Sequence, residues 1–285
     1  MKFSSYLKLV RLNQPIGIWL LFLPCLFGIF LALKTVPDIS TSAITKIIFL
    51  FFVGSVVMRS AGCVINDLFD KKFDEKILRT KNRPLASGKI SRVEALILLG
   101  LLLILGFMIL LQFNFKTILS GFFALTLIIT YPLMKRVTHY PQIFLGLTFN
   151  FGILMSGLAF LEKITLDFII LYIAGIIWTV IYDTIYAYQD LEDDLRIGVK
   201  STAIKFKSNP KKILISLSLA MFLDLIFLGF LKQFSPTFFL IILFAAFFLS
   251  AKITKCDLQN SENCLAVFKS NLWVGILILT AIISG

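Results

Sequence analysis

The chain has 285 residues, 58% of them hydrophobic and only 15% charged, with a mean hydropathy of +0.92. Soluble globular chains are roughly 45–50% apolar and about 25% charged, so the composition excludes an ordinary soluble domain and indicates a polytopic membrane protein. The net charge of +12 would suggest nucleic acid on a soluble protein. Here its placement speaks for membrane orientation instead, and no nucleic-acid partner is expected.

Residues 1–13 are basic and amphipathic, with Tyr6, Leu7, Leu9, Val10 and Leu12 against Lys2, Lys8 and Arg11. Such a segment lies along a membrane interface; a partner-binding helix is the alternative. Pro15 and Gly17 mark the entry to the first span. Nine spans follow, at about 15–34, 43–65, 93–112, 117–134, 141–161, 166–188, 211–231, 236–252 and 267–284. About 20 apolar residues cross a bilayer as a helix. Short polar pauses at 112–116 and 232–236 read as the tips of helical hairpins.

With the N-terminus inside and the spans alternating, 23 of the 28 Lys and Arg fall on the inner side. Only Lys34, Lys46, Lys116, Lys163 and Lys232 remain outside. This bias follows the positive-inside rule and supports an odd number of spans. The expected location is the cell inner membrane, multi-pass, with the N-terminus and the polar motif loops cytoplasmic.

The first polar motif, at 66–74, ends the second span. Asn66, Asp70 and Asp74 recur every four residues, which on a helix stacks three oxygen-bearing side chains along one face. Asp67 sits three residues before Asp70 and can join them. Carboxylates this close to hydrocarbon are costly unless neutralised. Magnesium holding a phosphorylated substrate would do so, since it takes one or two carboxylates plus phosphate oxygens and water. A solvated helix end paired with Lys71 and Lys72 is the plainer alternative. The adjoining basic loop, in the motif region 66–92, carries Arg79 and Arg83 four residues apart. Their guanidinium forks suit phosphate oxygens, although ordinary cytoplasmic positive charge would look the same. The loop is long for a helix connection, as binding segments often are.

Tyr131 and Pro132 end the fourth span, and the cations Lys135 and Arg136 come next. His139, the only histidine, reads as interfacial. The four cysteines, Cys25, Cys63, Cys256 and Cys264, form no close pair in sequence and no metal-ligand spacing. Cys63 lies three residues before Asn66 and is read as a packed thiol near the site.

A second acidic cluster closes span six and opens the region 190–212. Asp183, Asp190 and Asp194 fall at i, i+7 and i+11, one helical face, with Tyr186 beside them and Asp193 in the same run. A basic segment comes after it, as one does after the first cluster. Two carboxylate clusters at one membrane depth can grip metal ions that grip a diphosphate, with arginines and lysines absorbing further charge. Thirty Phe, seven Tyr and three Trp mostly face lipid or pack, but a few near the site could shield a carbocation through their ring faces. Together these features indicate transfer of an isoprenoid chain from its diphosphate.

The motifs resemble those of the UbiA superfamily of intramembrane prenyltransferases over nearly the whole chain. The resemblance runs through Arg11-Leu12-Asn13-Gln14-Pro15-Ile16-Gly17, both acidic motifs, the basic stretch 79–88 and residues 131–142. Asp183-Thr184-Ile185-Tyr186-Ala187-Tyr188-Gln189-Asp190, then Gly198, Lys200, Ser201 and Thr202, is similar to the 4-hydroxybenzoate branch of that family. The run departs from the family pattern at Gln189-Asp190-Leu191 and Glu192, while the spacing of four from Asp190 to Asp194 survives.

The resemblance implies a single all-α domain over 1–285, with nine transmembrane helices around a central cavity that opens laterally to lipid. It implies magnesium as cofactor. Asn66, Asp70 and Asp74 would hold one ion and Asp190 and Asp194 another, with Asp67 and Asp193 as supporting acids. Arg79, Arg83 and Lys135 would bind the diphosphate. Arg59, two turns before Asn66, would face the acceptor, with Arg136 a second candidate for its carboxylate. Tyr131 and Tyr186 would line the substrates, and Asp183 would accept a proton or orient the phenol. The expected partners are polyprenyl diphosphate, 4-hydroxybenzoate, membrane lipid and other enzymes of the quinone pathway. Prenyl transfer to another acceptor, haem or another quinone precursor, is one alternative. A transporter with midplane charges is another, disfavoured because both acidic clusters sit at helix ends.

Overall fold

The computed structural model describes residues 2–36 and 38–285, and among them it contains helices and no strand. A short α1 (Lys2–Leu9) precedes α2 (Ile16–Leu33), the long α3 (Thr41–Asp74), α4 (Arg92–Leu110) and α5 (Phe115–Val137). The next span is built from α6 (Pro141–Phe149) and α7 (Phe151–Leu161). Then α8 (Leu166–Ala187) passes through a 3-10 turn (Tyr188–Asp190) into α9 (Leu191–Ile197). A single-turn α10 (Thr202–Lys205) leads to α11 (Pro210–Leu231), α12 (Pro236–Lys255) and α13 (Ser261–Ser284). Among the described residues nine segments are long and apolar enough to cross a membrane, α6–α7 and α8–α9 each counting as one. The all-helical, nine-span expectation is met.

Local chemistry sets the ends of these helices. Ser91 and Glu94 form a reciprocal capping box at the start of α4, which satisfies backbone donors that a helix start leaves open. Asn114 accepts from the Thr117 amide at 2.9 Å to start α5. Pro141, Pro210 and Pro236 occupy the first turns of α6, α11 and α12, where a missing N–H costs nothing. The break between α6 and α7 falls at Asn150, fully buried. Its amide side chain donates to the Gly146 carbonyl at 2.9 Å and to the Thr179 hydroxyl of α8 at 2.8 Å.

Packing is lopsided, and this positions the site. α2, α8, α11, α12 and α13 share one apolar core that includes Leu20, Phe27, Trp178, Tyr182, Met221 and Phe238. By contrast Ala95 is the buried residue of α4, and α5 buries Thr117 and Pro132. Both helices present large apolar side chains outward, such as Leu101 and Phe123. Their inner faces border a cavity of about 1230 Å³ whose walls also come from α2, α3, α6 and α8. Trp19 and Phe107 line it and are still 41% and 44% exposed, so apolar surface lies open along it.

The motif 66–74 forms the last turns of α3, as its spacing of four implied, and the loop starts at Glu75. Two features differ from the sequence expectation. α13 starts at Ser261, six residues earlier than the apolar run, because Asn260 accepts from the Asn263 amide and caps a polar first turn. The second acidic cluster does not form one continuous helical face, since the 3-10 turn at Tyr188–Asp190 interrupts it. The tighter winding of a 3-10 turn shifts the register of the residues beyond it.

Candidate active site

The polar end of the cavity is built from two helix ends that face each other. On α3, Asn66 is half-buried, while Asp67, Asp70 and Asp74 are 1%, 2% and 4% exposed. Asn66, Asp67 and Asp74 line the cavity, and across it so do Asp183 and Tyr186 of α8, Asp190 of the 3-10 turn and Asp194 of α9. Residues more than a hundred apart in sequence thus meet at one end of the bundle.

The acids are not left to themselves. Arg79 donates its Nε to Asp190 Oδ1 at 2.7 Å and its Nη2 to Asp190 Oδ2, a two-pronged fork. Its Nη1 donates to the Tyr186 hydroxyl at 3.1 Å, and the guanidinium lies 5.4 Å from that ring's centre. Burial works against the charge on Arg79, yet Asp190 and Tyr186 outweigh it and raise the guanidinium above its ordinary value. Arg83 donates to both Asp74 oxygens at 3.0 and 2.8 Å and to Asp67 Oδ1 at 3.3 Å. Burial again opposes its charge, and Asp67 and Asp74 again raise it. Lys135 of α5 pairs with Asp70. Each cation expected to bind diphosphate therefore holds a carboxylate of the acidic motifs. A charged cluster near hydrocarbon survives only with such pairing.

Whether magnesium fits can be judged from the donors. Among the described residues no three His, Cys, Asp or Glu side chains converge as a ready cage. Magnesium does not need one when phosphate oxygens and water complete its shell. The Asp70 Oδ1 atom is buried with no hydrogen-bond partner, an expensive state for a carboxylate oxygen. Asn66 and Asp194 line the cavity as oxygen donors. One orphaned carboxylate oxygen with two cavity-facing oxygen donors suits a divalent cation shared with phosphate.

Arg59 occupies a different station, deeper in the cavity. Its Nη1 donates to Cys63 Sγ at 2.9 Å, and its guanidinium lies 5.5 Å from the Phe149 ring centre. Its Nε is buried with no partner. Gly17 makes room for it: a Cβ there would stand 2.5 Å from Arg59 Nε. No carboxylate pairs with Arg59 among the described residues. Tyr131 and Asp183 line the same chamber.

Two expected residues stand apart from it. Arg136 does not line the cavity; its guanidinium packs 5.2 Å from the Phe73 ring centre and its Nη2 donates to the Phe69 carbonyl at 2.7 Å. It comes one position after Lys135, so the helix turns it away by about 100°. It is therefore withdrawn as an acceptor ligand. Asp193 is likewise turned out of the cavity, toward Arg196 at 3.9 Å.

Sequence reasoning passed over Arg11 as part of a basic interfacial segment. It adopts a positive φ of 58° and grips Asp67 through Oδ1 at 2.8 Å and Oδ2 at 3.0 Å. With Arg83 also on Asp67, that carboxylate is committed to two arginines, so it ties the N-terminal segment to α3. Its place immediately before the Asn13–Gly17 stretch was the available signal. Gln142 was also missed: its Oε1 accepts from the buried Thr202 amide at 3.0 Å. The Thr202 and Thr184 hydroxyls meet at 2.6 Å, pinning the segment after α9 to α8. Finally, Cys256 and Cys264, distant enough in sequence to look unrelated, are buried in the same core, where the Cys264 thiol donates to the Asp257 carbonyl at 3.6 Å.

An all-helical membrane bundle with a charged cavity, opposed acidic helix ends and arginines set between them defines an intramembrane protein that handles a polyanionic substrate with an apolar body. The chain belongs to the UbiA prenyltransferase family, whose model matches residues 21–275. It is 42% identical to a mitochondrial 4-hydroxybenzoate polyprenyltransferase of Rattus norvegicus over 99% of this chain and 75% of that protein. It is 41% identical to the protein of the same description from Drosophila pseudoobscura pseudoobscura, over 99% of this chain and 70% of that one. The fold is similar to that of a UbiA homologue from Archaeoglobus fulgidus bound to GPP and Mg2+, with a TM-score of 0.71, 21% identity and coverage of 99% of this chain and 100% of that one.

Proposed function

We propose that the whole chain acts as one prenyltransferase unit that moves a polyprenyl chain from polyprenyl diphosphate to the ring carbon ortho to the hydroxyl of 4-hydroxybenzoate, an early membrane step of ubiquinone formation. The observation that carries this reading is the division of charge inside one cavity. Arg79, Arg83 and Lys135 are locked to carboxylates at its polar end, while Arg59 lies deeper without an acidic partner. A diphosphate suits the first station and a small aromatic carboxylate the second.

Asn66, Asp70, Asp74, Asp190 and Asp194 would hold magnesium, which when bound neutralises diphosphate charge and eases its departure. The residues of the chain do the rest. Arg79, Arg83 and Lys135 exchange their carboxylate partners for phosphate oxygens, and the carboxylates they release, Asp190, Asp74 and Asp70, would then be free to hold the magnesium whose charge offsets that of the donor. The allylic C–O bond breaks and its electron pair leaves with the diphosphate. The resulting cation lies near Tyr186 and Phe268, whose rings are 4.6 Å apart and offer π faces to it. Arg59 holds the acceptor carboxylate. The ortho carbon forms the new bond, and the ring proton passes to a base, for which Asp183 is placed on the cavity wall. Apolar walls exclude the water that would capture the cation. We take the membrane to be the cell inner membrane, with the N-terminus and the polar end on its cytoplasmic side, an orientation that the charge bias supports.

The test is mass spectrometry of products made by membranes carrying the protein from labelled 4-hydroxybenzoate and a defined polyprenyl diphosphate. The expected product is the carbon-prenylated acid, formed only with magnesium. Product from another aromatic acceptor and none from 4-hydroxybenzoate would overturn the assignment, and substrate uptake without prenyl transfer would favour a transporter.

A further inference from the structure

Gly17 is the second residue of α2, buried and helical, and its φ is not one of the positive ones. The backbone freedom of glycine is unused there, and alanine is the better helix former. What the position uses is the missing side chain. Outside its own helix backbone, the three heavy atoms nearest to a Cβ built on Gly17 all belong to the Arg59 guanidinium: Nε at 2.5 Å, Nη2 at 2.9 Å and Cζ at 3.1 Å. Both nitrogens are nearer than the carbon that joins them, so a methyl group there would stand in the mouth of the fork they form. The rest of the guanidinium is held as well. Nη1 donates to Cys63 Sγ at 2.9 Å, and Cζ lies 5.5 Å from the centre of the Phe149 ring. Gly17, Cys63 and Phe149 belong to α2, α3 and α6, and all three line the cavity with Arg59. A long, flexible side chain is thus confined to one pose by three elements, with its buried Nε left without a hydrogen-bond partner.

We propose that Gly17 is a positioning residue for the acceptor: by lacking a side chain it holds Arg59 in the pose that meets the acceptor's carboxylate. The proposal rests on the acceptor role given to Arg59 in the prenyl-transfer reading above. A guanidinium already fixed in place binds a carboxylate without the cost of ordering its own side chain. A methyl group at position 17 would be anchored to the α2 backbone, so the end of the arginine is what yields. The fold survives this, because only a flexible side chain is displaced, while the acceptor loses its aligned partner. The stretch from Arg11 to Gly17 therefore serves both ends of the cavity, through Arg11 on Asp67 and Gly17 under Arg59.

The experiment is a double-mutant cycle in membranes with Gly17→Ala, Arg59→Ala and both together, using geranyl diphosphate as donor. Gly17→Ala should raise the 4-hydroxybenzoate KM by about tenfold or more, the worth of a hydrogen bond to a charged group, and leave the donor KM in place. Its preference for 4-hydroxybenzoate over the uncharged 4-hydroxybenzamide should fall by the same factor. Its Tm should stay level or rise, since alanine favours the helix, whereas loss of a merely structural glycine would lower Tm together with both KM values. On top of Arg59→Ala, Gly17→Ala should change the acceptor KM no further, because the two act as one unit. An unchanged acceptor KM in Gly17→Ala, an equal further loss in the double variant, or failure of Gly17→Ala to accumulate would each overturn the proposal. An unchanged acceptor KM in Arg59→Ala would defeat the acceptor role of Arg59, and the proposal with it. Absence of product with the unmodified protein would instead defeat the prenyl-transfer reading itself.

Discussion

At the residue scale, the site works by exchange of partners. Asp70 is paired to Lys135 through one oxygen while the other has no partner, and Asp194 lies across the cavity. Changing either to Asn keeps the size and removes a charged ligand. Each variant should lose about a hundredfold in turnover or more, as transition-state charge stabilisation is lost. The double variant should cost far less than the product of the two, because residues acting on one charge cluster are not additive. Steady-state rates at saturating magnesium check this, and multiplicative losses would mean two separate sites. Arg59 makes a second case. Arg59→Ala should raise the 4-hydroxybenzoate KM by about tenfold or more, the worth of a hydrogen bond to a charged group, with little change in donor KM. A raised donor KM with an unchanged acceptor KM would reassign Arg59 to the diphosphate.

At the element scale, what matters is how the second acidic arm is held. The arm leaves α8 through a 3-10 turn and returns through Gly198, whose φ of +73° lies in the left-handed region that glycine enters without the penalty of a Cβ. The Lys200 amide donates to the Lys135 carbonyl at 2.9 Å, and the Thr202 amide donates to Gln142. Three elements therefore fix where Asp190 and Asp194 point. Gln142→Leu keeps the bulk but strands the buried Thr202 N–H, at a cost of about 1–3 kcal/mol. The expected outcome is a lower Tm and a raised donor KM, with the acceptor KM little changed, because the acidic arm loosens while α3 and Arg59 stay in place. Retention of wild-type donor kinetics would show that the Asp190 fork with Arg79 alone holds the arm.

At the scale of the whole molecule, the joint site exists only if both acidic helix ends emerge on one side of the membrane. Single cysteines introduced at Lys116 or Lys163, in a background with the four buried native cysteines replaced, should label from the outside. One at Lys207 should label from the inside. Lys163 and Lys207 lie beyond opposite ends of the segment Leu166–Ile197, so labelling of both from one side would remove that span and with it the meeting of the two motifs. The lopsided packing has a related consequence. The chain concentrates its apolar burial on α2, α8, α11, α12 and α13 and leaves α4 and α5 as a thin wall, which is what allows a large cavity to persist in a densely packed fold.

The spans, their number and the residue types of the site were legible in the sequence because each rests on local physics. Hydropathy over a bilayer's length marks a helix, and a spacing of four puts Asn66, Asp70 and Asp74 on one face without reference to anything else. The two-sided use of charge was readable too, since acids at a membrane edge demand cations nearby and the chain supplies them in the next loop. What remained hidden depended on contacts between distant segments. Arg136 and Lys135 are neighbours in sequence, and only the docking of α5 against α3 decides which one enters the cavity. Arg11 looks like any interfacial cation until the left-handed turn at its own backbone brings it to Asp67. The face shared by Asp183, Asp190 and Asp194 required an unbroken helix, and the 3-10 turn that breaks it accompanies the pairing of Asp190 with Arg79. Helical periodicity determines which side chains share a face; tertiary packing decides which face meets the cavity, because that choice minimises unpaired charge over the whole bundle.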